Sequence, residues 1–418
     1  MNKKRLVSGF FVLLFLSCAA YASAADVQEL ERRINVLSDE LDGLKRGGAE
    51  VGHKEAERVT LHGYGELHYN RPTDGRTTEF DNHRFVLGAH ARLTDWIFLN
   101  AEIDFEHAAQ ELEFEFSHLD FMLDPKYNFR AGVMLMPVGF LNEYHEPPLF
   151  WSVERPELQS KVIPTTWSGA GAGFFGTPVE GLNYRLYVVN SVQSVRKNGF
   201  SEGDGTGAGG ASGRFRESDG IRQGRLQINK AIGEDVAVVG RLEYSKLYPG
   251  LQLGFSFYTG DTTHELISQG GRTTLVEGDV KYRWQWFEAN STIVNIDVGD
   301  AAALNAFNAT QTTASSGTGT VPDRIFGWNI QAGVHLPQLL KMNSTHDFVP
   351  FVLYEQFDLH KSVPAGFTRN PLRDTEVFTV GVSYMPIPSV ALKLDYQDFE
   401  FGNNTSQDQI NMGVAYMY

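Results

Sequence analysis

The residues best suited to chemistry stand close together in one long polar and aromatic segment, residues 139–168. Glu143, His145 and Glu146 offer carboxylate oxygens and an imidazole, which are metal ligands, and Arg155 adds a fixed positive charge. The Glu-x-His-Glu spacing on a loop is weak evidence for a metal, so neither a metal nor a cofactor is predicted. No serine, histidine and aspartate set has the spacing of a known hydrolase family, so no catalytic residue is predicted.

Charged residues also recur at every second position in several stretches of the chain, as they do on one face of a β-strand. The acidic members of these patterns are Glu66, Glu102, Asp104 and Glu106. The basic members are Arg84, Arg92, Arg130, Arg185 and Arg241. If the strands close around a lumen, the acidic residues are expected to form an arc on one wall and the arginines a stripe on another. Opposed charges across a narrow lumen would produce a transverse field that favours small polar solutes.

The stretches that carry these residues have a hydrophobic period of two from Val59 onward. In 97–106, for example, apolar residues alternate with Asn100 and with three carboxylates. Sixteen strands of about 10 residues are predicted between residues 59 and 418, and a tilted membrane-spanning strand has that length. In the fourth strand the alternation changes phase between Phe116 and Leu119, which predicts a β-bulge.

The lengths of the connections alternate along the predicted strand order. Short turns such as Thr94-Asp95 and Asp124-Pro125 occupy every second joint, and long segments follow the fifth, seventh and eleventh strands. Short turns on one side and long loops on the other are typical of outer-membrane barrels. The predicted fold is therefore all-β, a sixteen-stranded antiparallel transmembrane β-barrel over residues 59–418.

Three shorter regions precede the predicted barrel. Residues 1–24 have the basic start and apolar stretch of a signal peptide. Residues 25–48 predict a short periplasmic helix with an apolar heptad seam, which favours a coiled coil with partner helices. The alternative for this helix is a lone amphipathic helix that rests on its own barrel. Residues 49–58 form a polar linker.

Charge and hydropathy exclude two classes of protein. Carboxylates outnumber lysine and arginine by 51 to 36, so the formal net charge is -15, and loss of the signal peptide would make it -18. Nucleic acid favours a basic surface, so it is not a predicted partner. Mean hydropathy is -0.26, and beyond the N-terminus no apolar run reaches about 18 residues, which excludes a bundle of membrane-spanning helices.

The last residues of the chain alternate down to a terminal aromatic side chain. The apolar members of this alternation are Ile410, Met412, Val414, Tyr416 and Tyr418. The pattern resembles the assembly signal of bacterial outer-membrane proteins, which implies the barrel-assembly machinery as a partner and outer-membrane lipid as the surroundings.

The size of the predicted barrel has a consequence for its interior. Sixteen tilted strands enclose a lumen too wide for side chains to fill, which leaves an aqueous channel. The 139–168 loop, which carries Glu143, His145, Glu146 and Arg155, is the candidate constriction if it folds into the lumen. The alternative is a loop that points outward. Loops 192–234 and 297–324 contain stretches rich in Gly, Ser and Thr and are predicted to be mobile and external.

Several longer motifs resemble a family of Gram-negative outer-membrane porins. They are Met136-Pro-Val-Gly-Phe-Leu-Asn-Glu-Tyr-His-Glu-Pro-Pro148, Arg155-Pro156, Val162-Ile-Pro-Thr-Thr-Trp167, Gly181-Leu-Asn-Tyr-Arg-Leu-Tyr-Val-Val-Asn190 and Val238-Val-Gly-Arg-Leu-Glu-Tyr244. The family looks related to the phosphate-selective porins O and P, which have a signal, a short N-terminal helix and a sixteen-stranded barrel. The resemblance implies homotrimers and passive diffusion. Phosphate-selective members depend on ladders of Lys and Arg, and this chain lacks a run of lumen-facing Lys.

These observations predict a water-filled channel for passive diffusion of small hydrophilic solutes and ions in the outer membrane, rather than an enzyme. The negative net charge predicts a weak preference for cations that fades as salt rises. A selective anion channel of the phosphate type is the main alternative. A barrel enzyme, such as a phospholipase, and an envelope anchor or adhesin are alternatives from other classes.

Overall fold

The computed structural model describes residues 58–196, 215–225, 228, 231–310 and 319–418. They form a closed antiparallel barrel of sixteen strands, in which neighbouring strands pair and β1 pairs with β16. The predicted barrel is therefore confirmed. The predicted signal peptide, the heptad helix and all of the linker except Arg58 lie outside the described residues.

The strands agree with the predicted order and differ from the predicted bounds by a few residues. Their bounds are β1 Val59–Pro72, β2 Glu79–Arg92, β3 Ile97–Glu106, β4 Glu111–Asp124, β5 Tyr127–Leu135, β6 Ser168–Val179, β7 Leu182–Asn190, β8 Val236–Tyr244, β9 Leu251–Gly260, β10 Thr273–Trp284, β11 Phe287–Val298, β12 Arg324–Val334, β13 Asp347–Ser362, β14 Asp374–Ile387, β15 Val390–Phe401 and β16 Ser406–Met417.

Among the described residues, two α-helices lie in the connections, α1 at Ala301–Thr310 and α2 at Leu336–Leu339. Single helical turns occur at Pro147–Leu149, Leu158–Val162, Arg222–Gly224 and Pro371–Arg373. The β12–β13 connection lies on the side of the short turns but is longer than they are, because it contains helix α2. Across the described part of the chain, neither helix combines the length and the hydropathy that a bilayer crossing requires.

The outer surface of the barrel is apolar because outward side chains alternate with inward polar ones. Large apolar side chains are exposed on strands around the whole barrel, among them Leu61, Leu87, Phe114, Leu186, Leu242, Phe255, Ile293, Phe378, Leu392 and Val414. Such an apolar belt is stable only where lipid replaces water. A closed sheet also satisfies every strand's backbone hydrogen bonds, which a bilayer demands.

A β-bulge interrupts β4, as the change of phase predicts. Glu102 pairs with Phe116 and Ile103 pairs with Phe114, so Glu115 is an extra residue without a partner on β3. The bulge lies one residue before the predicted interval. Alternation with the exposed side chains of Leu112 and Phe114 places Glu115 on the lumen face, where its side chain is buried.

The C-terminal strand closes the barrel against β1. The backbone N–H of Tyr418 donates to the Gly63 carbonyl, and the N–H of Gly63 donates to the Tyr418 carbonyl. The Tyr418 and Tyr416 rings lie over Gly63 and Gly65, where an added Cβ would come within 2.7 and 2.6 Å of the two phenol oxygens. Glycine at these two positions therefore gives the terminal aromatics room on the outer face.

We expect Tyr418→Ser to lower the amount of folded barrel in the membrane, because it removes the aromatic side chain that covers the closing seam. The measurement is the heat-modifiable fraction of protein in membrane extracts. Tyr248→Ser, at an equally exposed tyrosine in a short turn, is the control and should leave that fraction unchanged. Equal folded fractions in the two variants would show that the terminal ring has no special part in assembly.

The interior holds an apolar core as well as polar groups. Inward residues of β7, β8, β11 and other strands pack with Leu158, Val162, Phe215, Ile221 and Leu304. The predicted external position of loops 192–234 and 297–324 is therefore wrong for those of their residues that belong to this core, among them Val192, Val195, Phe215, Ile221, Ala301, Leu304 and Val321. The reason is that apolar residues such as Phe215 and Ile221, outside the Gly-rich stretch, decide where the loop lies.

Candidate functional site

The loop between β5 and β6, residues 136–167, lies inside the barrel and is called the inward loop below. Buried Glu355 on β13 accepts hydrogen bonds from the backbone N–H groups of Glu157 and Leu158, both at 2.9 Å. Leu158 also packs against Gly327 of β12, where a Cβ would come within 2.4 Å of its Cδ1. The far end of the loop is thus bonded to the opposite wall.

A second contact holds the middle of the inward loop against β15. Lys393 Nζ donates to the carbonyls of Pro147 at 2.7 Å and Ser152 at 2.9 Å, and it lies 3.9 Å from the centre of the Phe150 ring. Asp395 accepts a hydrogen bond from the Val153 N–H at 2.6 Å. These two wall residues fix the loop's path across the lumen.

An acidic cluster with a single arginine lines the wall made by β1 to β4. Arg84 is buried and contacts Asp104 at 3.1 Å and Glu106 at 2.6 Å. It also lies 3.4 Å from Glu115 and 4.0 Å from Glu66. Arg84 therefore belongs to the acidic wall rather than to a separate basic stripe.

His68 connects this wall to the inward loop. It contacts Glu66 at 2.9 Å and Glu154 of the loop at 3.1 Å. Burial by itself would raise the pKa of Glu154, but hydrogen bonds from His68 and Asn70 lower that pKa below its usual value. Burial raises the pKa of Glu146, which lies on the same loop. Its Oε2 atom accepts no hydrogen bond from the described residues.

Two more of the predicted arginines, Arg241 and Arg185, are also paired with carboxylates. Arg241 contacts Glu243 at 3.0 Å, Glu277 at 3.4 Å and Asp279 at 2.6 Å. Arg185 contacts Glu243 at 2.7 Å and Glu143 of the inward loop at 3.0 Å. Glu143 and His145 therefore face different walls and do not form one site.

The last two arginines of the predicted stripe, Arg130 and Arg92, also lie close to carboxylates. Arg130 pairs with Asp120 through two hydrogen bonds of 2.7 and 2.9 Å. Arg92 stands at the end of β2, partly exposed and 4.0 Å from Asp95. The structure thus contains mixed acidic and basic clusters instead of an arginine stripe opposite an acidic arc. The prediction of a stripe is wrong because alternation along one strand shows which of its side chains face the lumen. It does not show which charged side chains of the neighbouring strands lie beside them.

Three arginines in the loops form the exception, and we call them the unpaired arginines: Arg155, Arg222 and Arg225. Within the described residues, none of the three makes an ion pair. Burial and then Arg84 lower the pKa of Arg155 to about 10. Burial and then Arg222 lower the pKa of Arg225 to about 10, with Arg155 acting in the same direction. At neutral pH the guanidinium groups of Arg155 and Arg225 therefore stay charged and place positive charge in the lumen.

Several important residues lie outside the sequence-based selection. They are Tyr64, Glu115, Asp120, Arg222, Arg225, Glu243, Glu277, Asp279, Glu355, Lys393 and Asp395. Those residues that lie on strands follow the period-two pattern, so the sequence could have identified them. Arg222 and Arg225 had no such signal, because only the packing of Phe215 and Ile221 brings their segment inside.

The sequence is similar to that of a known protein over most of its length. No family model matches the sequence. An uncharacterized protein of Aquifex aeolicus (strain VF5) is 29% identical over 384 residues, which cover 90% of this chain and 83% of that protein.

Solved structures of outer-membrane channels have a similar fold. The outer membrane channel DcaP of Acinetobacter baumannii gives a TM-score of 0.54 at 9% identity, over 88% of this chain and 100% of that one. Salmonella typhi OmpF gives 0.53 at 12% identity, over 86% and 97%. An anion-selective porin from Comamonas acidovorans gives 0.52 at 10% identity, over 86% and 99%.

The chain therefore has the sixteen-stranded fold of outer-membrane porins. That fold and its apolar outer belt support the predicted location in the outer membrane. At these identities the likeness concerns the fold, and the solute has to be argued from the lumen itself.

Proposed function

We propose that this protein is an outer-membrane porin through which small hydrophilic solutes and ions diffuse passively. The observation that carries the proposal is a closed barrel whose charged interior is crossed by a loop bonded to both walls. The apolar belt holds such a barrel in lipid, and the loop narrows the water-filled lumen to a constriction. Glu143, Glu146 and Arg155 contribute the loop's charges to that constriction, and His145 contributes a polar imidazole.

Liposome swelling with sugars of increasing size tests the proposed channel. Vesicles that contain the purified protein should swell with small sugars at a rate that falls steeply as the sugar grows. A boiled sample of the same protein is the control. Swelling no faster than that of the control would contradict a channel and favour an envelope anchor or adhesin, while lipid hydrolysis in the same vesicles would favour a barrel enzyme.

The proposed selectivity is a weak preference for cations that depends on salt. At 0.01 M salt the Debye length is about 30 Å, so the acidic excess of the chain acts on the whole lumen. At 1 M it is about 3 Å, and only residues at the constriction remain effective. Reversal potentials across a planar bilayer should therefore show cation preference at low salt and almost none at high salt.

A selective anion channel is the second candidate, and the unpaired arginines favour it. Three guanidinium groups without carboxylate partners form the part of the described lumen with the clearest excess of positive charge. An anion would remove their mutual repulsion. Anion preference that persists at low salt would establish this candidate over the first.

We also propose a homotrimer, supported by the heptad pattern of residues 25–48 and by the family resemblance. Deletion of 26–48 should weaken the trimer without abolishing it, because the barrel walls are expected to supply most of the contact between subunits. Native electrophoresis and cross-linking in mild detergent measure the trimer fraction. A monomer for the full chain under these conditions would contradict the proposal.

A further inference from the structure

Two carboxylates of the barrel wall face a histidine of the inward loop. Glu102 of β3, Glu115 of β4 and His145 each have a ligand atom within 4.8 Å of the other two, and all three side chains are buried. Both carboxylates face the lumen through the alternation of their strands, and the register of β3 with β4 places Glu115 beside Glu102.

The hydrogen bonds of His145 fix the direction of its ring. Its Nδ1 atom lies 3.0 Å from the Asn142 carbonyl, which only accepts, so Nδ1 carries a hydrogen and donates it. Nε2 then points at Tyr64 Oη, 2.7 Å away, and at Glu115 Oε2, 2.9 Å away. In a metal-binding histidine, the ring nitrogen that does not bind the metal usually donates a hydrogen bond to a carbonyl or carboxylate, which orients the ring.

His145 Nε2, Tyr64 Oη and Glu115 Oε2 form a triangle of polar atoms. This triangle has no positive charge when the His145 ring is neutral. The Tyr64 hydroxyl has one hydrogen, which it donates to Glu115 at 2.9 Å. Nothing then separates the lone pair of Nε2 from the carboxylate oxygen. A cation at this point, either a second proton on the ring or a metal ion, removes the repulsion.

Buried oxygen atoms around the triangle have unused acceptor capacity. Asp104 Oδ1 accepts no hydrogen bond from any described residue, and Glu115 Oε1 has only the Arg84 guanidinium near it, at 3.4 Å and without a hydrogen bond, although both side chains are more than nine-tenths buried. Arg84 is the nearest arginine, and it is shared among four carboxylates. Glu102 has no contact with it within 4.0 Å, and its nearest basic group is His62 at 3.5 Å. The carboxylates therefore outnumber the cations that face them.

We propose that Glu102, Glu115 and His145 bind a divalent transition-metal ion of the Zn²⁺ class, which links the inward loop to the barrel wall. One imidazole nitrogen and two carboxylate oxygens form a ligand set that suits Zn²⁺, with further positions for water or solute. Mg²⁺ and Ca²⁺ prefer oxygen ligands throughout, so they fit the site less well. The site does not depend on the proposed function, since metal binding is measured without transport.

A second group of ligands provides an internal control. Asp81 lies 3.2 Å from His83 and 2.9 Å from His107, and all three side chains are only partly buried. Water compensates partly exposed groups, so their charge balance does not require an ion. We therefore place the metal at Glu102, Glu115 and His145.

The experiment measures Zn²⁺ binding to the detergent-purified full chain after treatment with a chelator. Titration calorimetry should give one tight site per chain, unaffected by a large excess of Mg²⁺. The variant Glu102→Gln/His145→Gln should bind Zn²⁺ weaker by about tenfold or more. The control His83→Gln/His107→Gln should bind as the wild type does.

A heat-modifiable band on gels establishes that each variant is folded before titration. If Glu102→Gln/His145→Gln does not fold, the single variant Glu102→Gln replaces it, with the same expectation. Absence of Zn²⁺ binding in the wild type overturns the proposal and assigns a second proton to His145. Unchanged binding in the variant, or loss in the His83→Gln/His107→Gln control alone, overturns it as well.

Discussion

Release of the inward loop from the opposite wall should raise the single-channel conductance severalfold. The double variant Glu355→Ala/Lys393→Met removes the acceptor of the Glu157 and Leu158 N–H groups and the donor to two loop carbonyls. A buried polar group left without a partner costs about 1–3 kcal/mol, so the loop should leave its present path for much of the time. Planar-bilayer recordings should show larger, noisier openings, and liposomes should admit larger sugars.

The matched control for this variant is Glu376→Ala/Lys341→Met. It removes the same two charges, but Glu376 bonds Tyr354 on β13 and Lys341 is exposed in the turn after α2. Its conductance should equal that of the wild type. If the first variant also keeps the wild-type conductance and size limit, the inward loop is not the constriction.

Removal of the unpaired arginines should shift the channel strongly toward cations. The triple variant Arg155→Gln/Arg222→Gln/Arg225→Gln takes away three charges that form no ion pair within the described residues. At an effective dielectric constant of about 20, one such charge acts on an ion about 4 Å away by about 4 kcal/mol. Reversal potentials in a salt gradient should therefore give a severalfold higher ratio of cation to anion permeability.

Arg76→Gln/Arg272→Gln/Arg324→Gln is the control for net charge. These arginines are solvent-exposed and paired with Asp74, Asp261 and Asp297. The control changes the net charge equally but should shift the reversal potential far less, since salt and water screen exposed pairs. Equal shifts in the two variants would mean that total charge, rather than the lumen arginines, determines selectivity.

Much of the barrel is predictable from the sequence because a membrane imposes strict rules on its strands. Alternation in stretches such as 97–106 and the alternating loop lengths give the number, order and facing of the strands. The change of phase before Leu119 gives the bulge, although pairing with β3 is needed to assign it to Glu115.

The candidate site is less predictable because its contacts join segments far apart in the chain. The inward face of Arg241 follows from alternation, but its carboxylate partners Glu277 and Asp279 lie on a strand that is not its direct neighbour. The path of the inward loop depends on Glu355 and Lys393, which follow it by more than a hundred residues. Only the closed barrel brings such groups together.

The apolar core inside the barrel has a consequence for the protein before it reaches the membrane. Part of the sheet is apolar on both faces, as in Val188 and Val189 of β7 and in the Val236 to Val239 stretch of β8. Such strands are more prone to aggregate in water than the half-polar strands elsewhere in the barrel. The unfolded chain therefore needs protection most at β7 and β8, and periplasmic chaperones that hold extended apolar segments should bind there first.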